Sequence, residues 1–311
     1  MFYTVQVHDT PMPKGNAGYW LCELVVLDEN FKEIDRQRIK ASGRIKDDYP
    51  MENHDYVYID DGHYMIPTAY PNTVDNIPNV NGSYKVFNNV IQEVKNSQVV
   101  FHWESIDYPE LFKLSHYLND PADCPSTGEK YLDYAHINSM FIDERDQNLL
   151  VSFRHIGFVK IDRQTGAILW MLAKNRCDIK GIDENMIPSM QHDARYNYDH
   201  SITLFDDSGS TTDNARVMRY WIDEKKLTAI KVKEYVCPYG KSQSQGSATL
   251  IDEENEIFDI AYGGGHPNIS FHEYSFKYNK ELMFVNLPTQ ETSVVYRVFR
   301  DNKGTQKRNK D

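Results

Sequence analysis

"HINSMFIDERDQNLLVSFRH", residues 136–155, decides how the chain reads. Two apolar runs flank the polar turn DERDQN, the pattern of an antiparallel hairpin. The hairpin opens on His136 and closes on Arg154 and His155, so groups that bind anions or move protons sit at its open end. Similar hairpins cover 54–70, 192–207 and 247–265. A second kind alternates with them, over 90–104, 158–172 and 217–235.

The first kind opens on His54, His136, His192 and Ser247. The first interval is 82 residues, and each of the next two is about 55. Two hairpins per interval make a four-stranded antiparallel unit, the blade of a β-propeller. The fold expected is all-β: a single propeller over 1–300 with a charged tail at 301–311. Six blades around a central channel are favoured over five. The longer first interval predicts an insertion over 106–135, a length that in a compact domain suits a functional loop. The hairpin at 20–39 lacks an inner partner, and 293–299 reads as a leftover strand. Strands from both ends are expected to complete a shared blade.

Composition excludes several functions. The 311 residues carry a net charge of −12, which disfavours a nucleic-acid backbone as partner. No apolar run is long enough to span a membrane. The stretch MFYTVQVHDTPMPKG has no basic segment followed by a long apolar one, so no signal peptide is visible. Four scattered cysteines show no metal spacing and read as isolated thiols.

Equivalent positions of successive blades project toward one axis, so His54, His136, His192 and Ser247 are expected to converge. Period-two alternation puts His136 and Asn138 on one face, and Ser152 and Arg154 on one face. By the same rule Asp193 points away from His192, and His155 points away from Arg154 and reads as structural. His63, His102, His200, His266 and His272 fall off-phase and read as structural too. Three imidazoles could hold zinc with one position open. Arg154 opposes that, because a guanidinium repels a cation and its donor fork suits an oxyanion. It would also keep a neighbouring imidazole neutral and nucleophilic. GGGH, 263–266, lacks the Lys-Ser/Thr of a phosphate loop and reads as a close backbone approach.

The segments DYAHINSMFIDERDQNLLVSFRHIGFVKIDRQTGAILW and QHDARY resemble the bacterial arylsulfate sulfotransferases. The likeness is strongest over 133–207 and weaker over 50–300. It implies a six-bladed propeller that moves sulfuryl groups from an aryl sulfate to a phenolic acceptor. It implies a ping-pong route through a sulfo-histidine, with no nucleotide donor, no cofactor and no metal. His192 matches the family's nucleophile, His136 and Arg154 match two further catalytic residues, and His54 is the best match for a third. Asn138, Tyr134 and Tyr196 are candidates for substrate binding, with Tyr262 as a further aromatic wall, although packing explains each tyrosine as well. The resemblance also implies a periplasmic or secreted protein, and an N-terminal domain that this sequence does not show. The alternatives are a non-catalytic binding scaffold and a metal-dependent hydrolase or lyase built on the histidines.

Overall fold

The hairpin over 136–155 forms as read. Ile137–Ile142 pairs antiparallel with Leu149–Phe153, which pairs with Gly157–Ile161 and then Ile168–Ala173, with Arg176–Cys177 at the edge. Leu149–Phe153 is buried at every position, as a strand covered on both faces must be. The computed structural model describes residues 2–6, 21–75, 81–118, 121–124, 128–207, 214–263, 269–287 and 295–298.

Three other sheets repeat this plan, a fourth at the N-terminus pairs its strands in a different order, and the fold is an all-β propeller of five blades among the described residues. The chain divides into two compact units, Met1–Lys180 and Gly181–Asp311. In the first unit, a sheet of Val57–Asp60, His63–Val74, Tyr84–Lys95 and Gln98–Glu104 precedes the one just described. Phe2–Gln6, Leu21–Leu27, Glu33–Gln37 and Met51–Glu52 form another. The second unit holds Gln191–Tyr196, Ile202–Asp206, Arg216–Asp223 and Thr228–Val236 in one sheet. Its other sheet joins Ser247–Asp252, Ile257–Ala261, Phe271–Ser275 and Lys280–Val285. The blade boundaries agree with the repeat; the count is five among the described residues, where six was favoured.

The shared terminal blade is not formed among the described residues. The first sheet draws all its strands from the first 52 residues, because Phe2–Gln6 and Met51–Glu52 supply the partners for Leu21–Leu27. Residues 295–298 lie instead along the last sheet: Val295 bridges Gly263, and the Val298 N–H donates to Ser247 Oγ at 3.1 Å. The tail at 301–311 and His266 lie outside the described residues.

The 106–135 insertion is packed rather than loose. Glu110–Leu114 forms one helical turn, and Leu111, Phe112 and Tyr134 are buried in the same apolar cluster as Met140, Val151 and Phe153. Leu132 bridges Val86 in parallel. Leu111→Ala should therefore destabilise the protein by about 2–5 kcal/mol, read as a lower urea midpoint.

Close backbone approach is borne out at Gly263. Its φ is +66°, and a Cβ there would collide with the Ser244 carbonyl oxygen and the Gln245 backbone. Gly263→Ala should cost about 1–3 kcal/mol in denaturant unfolding.

Candidate active site

In the first unit, Asp133 organises the hairpin's open end. Its carboxylate Oδ2 lies 2.5 Å from His136 Nδ1, and its backbone carbonyl accepts from His155 Nδ1 at 2.6 Å. His136 Nε2 lies 3.2 Å from His54 Nε2, and His54 Nδ1 meets Glu52 Oε2. The His136 ring lies 4.7 Å from that of His54 and 4.9 Å from that of His155. Since Nδ1 of His155 carries the proton, its Nε2 accepts, and Arg154 Nη1 lies 3.5 Å from it. All three histidines are at most 5% exposed.

Local backbone explains the gathering. Arg154 N–H donates to the His136 carbonyl and His155 N–H to that of Ala135, so the hairpin's two ends stay side by side. His136 sits in the left-handed region at φ +62°, and a bulge falls between Ile137 and Ser139. Asn138, wholly buried, lies in that bulge. Bulges re-aim side chains beside functional sites. The period-two argument for His136 and Asn138 therefore does not carry across this stretch. It fails for His155 too, because the strand ends at Phe153 and both Arg154 and His155 lie in the following turn. His155 belongs to the cluster, contrary to its structural reading. The insertion adds Tyr117, whose ring stacks on His155 at 4.4 Å, and the His116 N–H, which donates to the His155 carbonyl.

Electrostatics follow burial. Desolvation pushes the Asp133 carboxyl up to about 6, against the pull of His155, His54 and Arg154. Burial, then the neighbouring His54 and Arg154, hold His136 well below the usual imidazole range. Burial does the same to His155, although Asp133 pulls it back. Ligand atoms of Asp133, His136 and His155 come within 4.8 Å of one another, close enough to hold a metal ion by distance alone. The chemistry fits poorly: both Nδ1 atoms are engaged by Asp133, and a guanidinium faces His155 Nε2.

In the second unit, His192 is 1% exposed on Gln191–Tyr196. Its Nδ1 lies 3.1 Å from the Met190 carbonyl and 3.5 Å from Asp207 Oδ2. Asp193 stands at φ +55° within a second bulge and ion-pairs with Arg195 and Arg297. The Tyr296 ring lies 6.4 Å from that of His192, a neighbour that sequence reading did not single out. Ser247 opens its strand, as the repeat requires.

The tyrosine candidates have other partners. The Tyr134 hydroxyl donates to Ser105 Oγ at 2.6 Å within the core, that of Tyr196 donates to Glu224, and Tyr262 is buried against His272. The off-phase His63 and His102 pair with Glu93 and Glu104 inside their blade.

By fold this is a β-propeller, and its first unit sets three imidazoles and a guanidinium together in a buried setting. The chain belongs to the arylsulfotransferase (ASST) family, whose profile matches residues 26–297. It is similar to the arylsulfate sulfotransferase AssT of Escherichia coli O6:H1, at 28% identity over 33% of this chain. That match covers 23% of the relative's length. Among solved structures, it is similar to the Dos1 propeller, at 12% identity and a TM-score of 0.41, over 73% of this chain and 48% of the other. It is also similar to the computationally designed Ika8 protein, at 9% identity and a TM-score of 0.42, over 96% and 81%.

Proposed function

We propose that the chain transfers a sulfuryl group from an aryl sulfate ester to a phenolic acceptor, through a sulfo-histidine on His192. The observation that carries this reading is the tautomer of His192. Its Nδ1–H donates to the Met190 carbonyl, so Nε2 holds the lone pair that a nucleophile needs. Membership of the arylsulfotransferase family supports the choice of substrate.

In the first half-reaction His192 Nε2 attacks sulfur, the sulfur–aryl oxygen bond breaks, and its electron pair leaves on the phenolate. Arg154 offers its donor fork to the sulfuryl oxygens, positioned by His155. His54 and His136 serve the aryl oxygen as it gains charge. In the second half-reaction a phenol oxygen attacks the sulfur of sulfo-His192 as its proton passes to His54 or His136, and the N–S bond breaks, returning the electron pair to His192 Nε2. Asn138 lies in the bulge beside His136, where it would contact the donor, and Tyr117 of the insertion would help select the acceptor. Tyr134 and Tyr196 are left to packing and to Glu224.

The test is to incubate the protein with 4-nitrophenyl sulfate, with and without phenol, following nitrophenol by absorbance and phenyl sulfate by mass spectrometry. Sustained release that needs phenol and yields phenyl sulfate is expected. Sustained release of inorganic sulfate without an acceptor would make the protein a hydrolase instead.

A further inference from the structure

We propose that His54 and His136 work as one proton-sharing pair, in which Glu52 and Asp133 lock both Nδ1–H groups so that His54 offers a single proton at Nε2 to the departing phenol. The inference rests on the sulfuryl-transfer reading for its substrate, and on the geometry of the first unit for its proton count.

The count starts from the carboxylates. Ionised, Glu52 and Asp133 only accept, so the Nδ1 atoms that meet them, in His54 and in His136, must both carry hydrogen. That leaves the two Nε2 atoms facing each other at 3.2 Å. Two lone pairs at that distance in a buried site repel; one proton between them makes an N–H···N hydrogen bond. The two rings thus hold three protons, which is one imidazolium and one neutral imidazole.

The surroundings decide which ring is charged. Glu52 Oε2 accepts from both the backbone N–H and Nδ1 of His54, which fixes that carboxylate against the ring. His136 lies on the side of His155 and Arg154, and burial, then His54 and Arg154, hold it well below the usual imidazole range. Asp55, also buried, accepts from the Met140 backbone N–H through Oδ2. Among the described residues, Glu52 Oε1 and Asp133 Oδ1 have no hydrogen-bond partner. Asp133 also feels His155, His54 and Arg154. At His192 the nearest partner of Nδ1 is the Met190 carbonyl at 3.1 Å, with the Asp207 carboxylate further off at 3.5 Å.

The step balances. As the sulfur–oxygen bond breaks, the His54 Nε2 proton moves to the aryl oxygen, leaving His54 neutral. The acceptor phenol returns a proton to that nitrogen as it attacks sulfo-His192. Glu52 and Asp133 touch no substrate; they are positioning residues.

Two measurements on the full chain test this. In ring-nitrogen NMR of ¹⁵N-histidine protein at neutral pH, His54 should show two protonated nitrogens and His136 one, at Nδ1. Glu52→Gln should remove the second His54 proton. Two neutral rings in the wild type, or a Glu52→Gln spectrum with the His54 proton retained, would overturn the proposal. Across a series of aryl sulfates, the loss of rate in Glu52→Gln should grow with the pKa of the departing phenol. It should run from a few-fold for nitrophenol to about 10²-fold for phenol itself. An equal loss across the series would mark Glu52 as merely structural and overturn the acid role. A wild type with no transferase activity would sink the reading of the previous section and the acid role with it, while the spectra would still decide the shared proton.

Discussion

His192→Ala should abolish turnover, by at least about 10⁴-fold, and leave no phenol burst when an aryl sulfate is supplied without acceptor. The size follows from the role proposed for this residue. A donor or a charge can be partly replaced by water or a neighbour, but an atom that forms the covalent bond cannot. His192 is suited to the task by its tautomer, since Nδ1–H donates to the Met190 carbonyl and Nε2 keeps its lone pair. The wild type should release up to one phenol per active site in the same donor-only assay. A full burst in the variant would move the nucleophile elsewhere, most reasonably to His136, whose Nδ1 is also held and whose Nε2 is neutral.

Arg154 should fail in a different way. Its guanidinium is held beside His155, itself fixed by the Asp133 carbonyl, so the charge is in place before substrate arrives. Removing one preorganised donor of this kind costs about 10²–10³ in rate, which is the loss expected for Arg154→Ala. Arg154→Lys keeps the charge without the planar fork and should recover only part of it. The burst should keep its amplitude in the lysine variant and slow down, because the nucleophile is intact. A reduced amplitude with an unchanged rate would argue that Arg154 holds the fold rather than the sulfuryl oxygens.

Much of this was legible from residue order. Alternating apolar runs with polar turns located the inner hairpins of four blades, because strand period and turn chemistry are local properties. The phase of the repeat found His54 and His136, which do meet. What escaped was set by backbone irregularity. His136 at φ +62° and the bulge after it break the alternation on which the facing of Asn138 was argued, and a turn rather than a strand carries His155. Glu52 and Asp133 had a signal that went unread: each is an acidic residue two or three positions before a repeat-phase histidine. The insertion escaped in another sense, since its polar composition hid Leu111 and Phe112, which anchor it in the core. Among the described residues the blades number five rather than the six favoured, and Phe2–Gln6 and Met51–Glu52 complete the first sheet without the distant C-terminal residues.

The central claim is that His192 carries the sulfuryl group, and trapping that group tests it most directly. The protein is mixed with an aryl sulfate in the absence of acceptor, quenched without acid, and weighed intact before peptide mapping. The account predicts a mass gain of one SO₃ that maps to His192 and disappears when a phenol is added. Acceptor-dependent turnover with no adduct, or an adduct mapping to the peptide that carries His136, would contradict it.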